Sequence, residues 1–112
     1  MPAPRLAQLE ARYTTLRHQL ATVGYLSDGS VYRRPAGQPG TRFTWSTKVQ
    51  AMTVSLALSE AQADWLDQAI AEHRRAKKIM AQMRRLSRQI MRARFPDTER
   101  RTKLSKKVLR LI

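Results

Sequence analysis

The sequence predicts an α+β fold with an N-terminal helix, a small antiparallel β-sheet of three to four strands, a long basic helix and a short C-terminal helix. Three patterns support this expectation. Apolar residues are spaced by three and four near both ends of the chain, the middle third has a period of two, and a helix-start signature precedes more than thirty residues without Gly or Pro. The 112 residues leave room for one domain, expected over residues 1–95, followed by a basic tail over 96–112 that is helical when docked.

The first helix is expected between Arg5 and Ala21, where Leu6, Leu9, Tyr13, Leu16 and Leu20 form one amphipathic seam. Pro2 and Pro4 suit its first turn, and Gly24 closes it. Between Val23 and Leu58 the period changes to two, broken by Asp28-Gly29 and by the Pro- and Gly-rich segment 35–40. Strands are expected near 23–26, 30–34, 41–48 and 52–58. Phe43, Trp45 and Thr47 share one face of the third; Met52, Val54, Leu56 and Leu58 share one face of the fourth.

Ser59-Glu60-Ala61-Gln62 has the form of a capping box, so the long helix should begin there and run toward Pro96. Its apolar line passes through Trp65, Leu66, Ala69, Ile70 and Ala76 to Ile79, Met83, Leu86 and Ile90, and the last four again step by four, three and four. That seam needs a partner, either the first helix or a second subunit, and the two seams together predict a homo-oligomer. Beyond Pro96, residues 97–99 could cap a final helix with a thin stripe of Leu104, Val108 and Leu111 among basic residues.

Charge defines the class of partner. The chain has 22 Lys and Arg against 8 Asp and Glu, a net charge of +14, so it attracts polyanions. From His73 to Arg94 the basic residues Arg74, Arg75, Lys77, Lys78, Arg84, Arg85, Arg88, Arg92 and Arg94 occur without one acid. A helix face of that kind forgoes i,i+4 ion pairs and repels itself until a polyanion neutralises it. A second cluster, Tyr32, Arg33, Arg34, Arg42, Thr44, Ser46, Lys48, Gln50 and Thr53, is expected on the polar side of the sheet. It reads equally as a base-contacting ribbon and as a solvated face whose charges block aggregation. Trp45, Trp65 and Phe43 are expected in the core between sheet and helix.

Other classes lack their residues. There is no Cys, His18 and His73 are isolated, and the acids are scattered rather than clustered to hold metal ions. No Gly-rich phosphate cradle is present. The chain is therefore expected to have no catalytic residues, no metal, no cofactor and no small-molecule substrate. It begins without a signal-type apolar run and contains no stretch of eighteen apolar residues, which predicts a cytoplasmic protein that does not engage membrane. Richness in Arg, Ala and Leu suggests a bacterial genome.

Gly29-Ser30-Val31-Tyr32-Arg33-Arg34, Trp45-Ser46-Thr47-Lys48-Val49, Met52-Thr53-Val54, Leu58-Ser59-Glu60-Ala61-Gln62-Ala63, Arg74-Arg75 and Met83-Arg84-Arg85-Leu86-Ser87 resemble a family of small bacterial proteins of unknown function associated with transposases. The resemblance covers residues 24–92. That family has a Cys- and Gly-rich segment between its first strands, and residues 35–40 carry none of the Cys, so no metal role transfers. The opening at Gly29–Arg34 is also similar to the arm-binding domains of tyrosine-type phage integrases, in which a three-stranded sheet reads DNA and a following helix braces it.

These resemblances imply a mobile-element setting with a transposase or recombinase as a protein partner, and they favour DNA over RNA. The expected function is non-enzymatic DNA binding as an accessory factor, with Arg33, Arg34, Arg42 and Lys48 on the sheet and the basic helix along the backbone. An RNA-binding or ribonucleoprotein component and a coiled-coil adaptor are the alternatives.

Overall fold

The computed structural model describes residues 2–96 and 105–111, and its fold class is the expected α+β. The elements in order are α1 (Pro2–Leu20), β1 (Ser30–Arg33), β2 (Phe43–Val49), β3 (Met52–Leu58), α2 (Glu60–Arg94) and α3 (Lys106–Leu111). They form two compact units, Met1–Thr22 with Lys77–Ile112, and Val23–Ala76.

The first unit is a helical hairpin. Glu10 of α1 pairs with Arg94 near the end of α2, whereas Leu16 lines a cleft with Leu86, so the two helices run antiparallel. The predicted seams meet here within one chain: Leu9, Ile79 and Leu86 are buried, and Leu6, Tyr13, Leu16, Leu20, Met83 and Ile90 are half-buried. Each fully buried Leu or Ile contributes about 1.5–3 kcal/mol, which gives the hairpin its cohesion. The helix α1 ends in a tightened turn, with Ala21 N–H on the Arg17 carbonyl and Thr22 N–H on that of Gln19. In α3, the Ser105 hydroxyl accepts the Val108 N–H at 3.2 Å as an N-cap. The candidate cap at 97–99, and Leu104, lie outside the described residues. Val108 and Leu111 are exposed.

The second unit is a three-stranded antiparallel sheet of order β1-β2-β3 against the N-terminal part of α2. Residues 23–26 do not form the expected fourth strand. The Ser27 N–H reaches the Ala69 carbonyl of α2 at 3.1 Å, and Tyr25 stacks on Trp65 with ring centroids 5.4 Å apart, so the segment lies along the helix. Trp65 is consequently not core; it remains half-exposed beside Tyr25. The helix core of this unit is made of small side chains, Ala63, Ala69, Ala76 and one Ile70.

Two turns fix the sheet. Gly29 has φ +87°, and a Cβ there would stand 2.5 Å from the Ser46 carbonyl and 2.6 Å from Trp45 Nε1, so only Gly fits. Trp45 Nε1 in turn donates to the Asp28 carbonyl at 2.9 Å, tying the indole to that turn. Between β2 and β3 the chain reverses in two residues, Gln50 and Ala51, at φ 49° and 66°, the signature of a type I′ hairpin without its customary Asn-Gly.

The capping box is formed as expected at the start of α2. The Gln62 N–H reaches the Ser59 hydroxyl at 3.2 Å, and the Ser59 N–H reaches Gln62 Oε1 at 2.9 Å.

Candidate nucleic-acid interface

The strand register assigns the faces of the sheet. Val31 pairs with Trp45 and Trp45 with Leu56; Arg33 pairs with Phe43 and Phe43 with Leu58. Residues directly opposite share a face, so Arg33 belongs to the apolar face and not to the polar cluster in which the sequence pattern grouped it. There its guanidinium bridges Asp64 at 2.9 Å and Asp67 at 2.5 Å, two carboxylates one helical turn apart in α2. The Asp67 and Asp64 hydrogen bonds hold Arg33 protonated still more firmly than usual.

The other sheet cations are also engaged, apart from Lys48. Arg42 stands 5.3 Å from the Phe43 ring centroid, with Arg33 5.4 Å from the same ring. Arg34 donates to the Thr41 carbonyl at 3.3 Å. Lys48 is exposed, opposite Thr53, on a face where the Ser46 and Ser55 hydroxyls bond each other at 3.0 Å. Of the four sheet cations, Arg33 is thus ion-paired on the apolar face, Arg34 is bonded to the loop carbonyl of Thr41, Arg42 lies over the Phe43 ring, and Lys48 is exposed.

The cations of α2 divide in a similar way. Arg75 is held by Glu72 at 2.8 Å, which keeps the Glu72 carboxyl below the usual carboxylate range; the Gly24 backbone N–H acts in the same direction. Arg94 pairs with Glu10. Arg92 is half-buried and engaged, and Arg74 is exposed.

Within the hairpin unit Lys77, Lys78, Arg84, Arg85 and Arg88 are all exposed, and none has an ion pair among the described residues. At about 100° per residue Lys77, Arg84 and Arg88 project from the side of α2 opposite the Ile79–Met83–Leu86–Ile90 seam, Lys78 and Arg85 from the adjoining flank, and the five extend over about 16 Å of helix. The same distribution that buries the seam aligns the cations.

The cleft beside this row adds residues that sequence reasoning missed. A cavity of about 680 Å³ is lined by Arg12 and Thr15 of α1 and by Gln82, Arg85 and Gln89 of α2. An adjoining cavity adds Arg5 and Gln8. Among the described residues no acid lines either one. The available signal was the seven-residue spacing of Arg5 and Arg12, which stacks them on one flank of α1 two turns apart. Guanidinium and amide groups in such a cleft donate to phosphate oxygens and can bond the edges of bases.

Among the described residues no helix is long and apolar enough to cross a membrane. Compared with family models, curated proteins and solved structures, the chain matches none.

Proposed function

We propose that this protein is a non-enzymatic DNA-binding accessory factor that grips the phosphate backbone with its helical hairpin. The observation that carries this reading is the row Lys77, Lys78, Arg84, Arg85 and Arg88, five exposed cations on the side of α2 away from the seam, without an acidic partner among the described residues. Bringing five like charges together on a short helix segment costs free energy that a polyanion offsets. Arg5, Arg12 and Arg85 along the cleft extend the contact from α2 to α1. Lys48 supplies a separate contact from the sheet. The mobile-element setting and a transposase or recombinase partner rest on the resemblance over residues 24–92, and a place at the bacterial nucleoid would follow from DNA binding itself.

The test is equilibrium binding to duplex DNA and to structured RNA over a salt series. Contact with about 6–10 phosphates gives a slope of log K against log salt of roughly −5 to −9 on duplex DNA. Tighter binding to RNA at every salt concentration would transfer the site to a ribonucleoprotein role. Absence of salt-sensitive binding to either would overturn the proposal.

A further inference from the structure

The strand β3 is an edge: it pairs with β2 on one side and with no strand among the described residues on the other. Natural edges are commonly blocked by Lys, by Pro or by a bulge. Here residues 49–59 contain no charge and no Pro, and they form the longest uncharged run of a chain carrying +14. The side chains of this region are open as well, Met52 at 67%, Leu56 at 54%, Val49 at 50% and Val54 at 39% exposure. An unpaired backbone edge accepts a strand, and an uncharged edge is where two strongly basic copies approach at least electrostatic cost.

We propose that β3 is the docking edge for β3 of a second copy, joined antiparallel about a two-fold axis at Ser55. Three features select this partner and register. The strand Met52–Leu58 is centred on Ser55, so a two-fold there overlaps its full length. It sets Val54 against Leu56, Met52 against Leu58, and Thr53 against Ala57 of the opposite copy, apolar facing apolar on one side and small polar or Ala residues facing one another on the other. A register centred between residues would oppose Val54 to Ser55 and mix the faces.

The third feature is the backbone. The two-residue turn closes on Val49 and Met52, which form a hydrogen-bonded pair, so Met52, Val54, Leu56 and Leu58 direct their N–H and C=O groups to β2. Thr53, Ser55 and Ala57 then direct theirs outward. In the Ser55-centred register these outward groups meet as hydrogen-bonded pairs, Ser55 with Ser55 and Thr53 with Ala57. The product is a continuous six-stranded sheet, and this inference stands independently of the nucleic-acid reading.

The chain contains no Cys, so a single introduced thiol reports the register. Opposed residues of a hydrogen-bonded pair have Cα atoms about 5.5 Å apart, within disulfide range. Ser55→Cys is expected to oxidise to a covalent dimer at least tenfold faster than Thr53→Cys, whose copy lies four residues away along the strands, about 14 Å. Light scattering on the unmodified chain provides an independent reading: a dimer of the 12.9 kDa chain whose population rises with salt as the like charges are screened. Equal cross-linking of the two Cys variants, or a monomer at every salt concentration, would overturn the proposal; the monomer would leave the edge to a different protein.

Discussion

The two units differ in which of their cations are paired with acids and in where their apolar surface is covered. In the hairpin, α1 covers the seam of α2, Leu9, Ile79 and Leu86 are buried, and the cations Lys77, Lys78, Arg84, Arg85 and Arg88 are left on the outside without acids among the described residues. In the sheet unit, Arg33 is claimed by Asp64 and Asp67 and Arg75 by Glu72, while Met52, Val54 and Leu56 stay exposed. The hairpin buries its central seam and leaves a row of cations unpaired among the described residues, although Met91, Phe95, Val108 and Leu111 are exposed in the same unit; the sheet unit pairs Arg33 and Arg75 and leaves the β3 edge open, with Lys48 exposed. Net charge alone therefore misleads about where a polyanion binds, because some of the cations that contribute to it are already paired.

Variants can break this contrast. The largest expected effect on folding is from Gly29→Ala, which places a Cβ within 2.6 Å of two groups at positive φ. It is expected to cost about 3 kcal/mol of sheet-unit stability in chemical denaturation. The tryptophan fluorescence of Trp45 reports it directly, since the indole is bonded to the same turn.

Arg33→Gln leaves Asp64 and Asp67 without their shared cation. With side-chain exposures of 39% for Arg33, 66% for Asp64 and 48% for Asp67 the pairs are largely screened by solvent, so a small loss of stability is expected in chemical denaturation. Replacing Arg84, Arg85 and Arg88 together with Gln should leave stability unchanged or slightly raised, because self-repulsion is relieved. If the triple variant were the less stable of the two, the contrast between paired and unpaired cations would fail.

Ala51→Gly removes the penalty of an L-residue in the left-handed region at φ 66° and should stabilise the β2–β3 hairpin by about 0.5–1 kcal/mol, measured by thermal unfolding. The smallest effect is from pH. The folded Glu72 carboxyl is held lower than in the unfolded chain, chiefly by the Arg75 hydrogen bond. Its contribution is complete above the unfolded carboxylate range and is lost as pH falls through the lowered folded value. Glu72→Gln should flatten that part of the stability profile and leave the rest unchanged.

Most elements were legible because their signals are local. The capping box at Ser59 and Gln62 formed, the strand at 52–58 has the expected bounds, and the spacing of Leu9, Ile79 and Leu86 predicted their burial. What failed depends on contacts between elements. Val23, Tyr25 and Leu26 have strand-forming side chains, yet the segment is taken up by the Ala69 carbonyl and by Trp65. Arg33 was grouped with Arg34 by chemistry, whereas strand alternation separates them, and the Asp64–Asp67 pair that receives Arg33 lies more than thirty residues away. Arg5 and Arg12 join a site through the packing of α1 beside Gln82, Arg85 and Gln89, a contact between residues roughly seventy positions apart that no local pattern encodes.

The salt dependence of duplex-DNA binding, compared between the Arg84/Arg85/Arg88→Gln variant and Arg33→Gln, tests the central claim most directly. Losing three phosphate contacts should reduce the slope of log K against log salt by about 3 and the affinity at moderate salt on the order of 10²-fold, whereas Arg33→Gln should leave both as in the unmodified protein. Equal losses from the two variants, or a larger loss from Arg33→Gln, would contradict the assignment of binding to the hairpin.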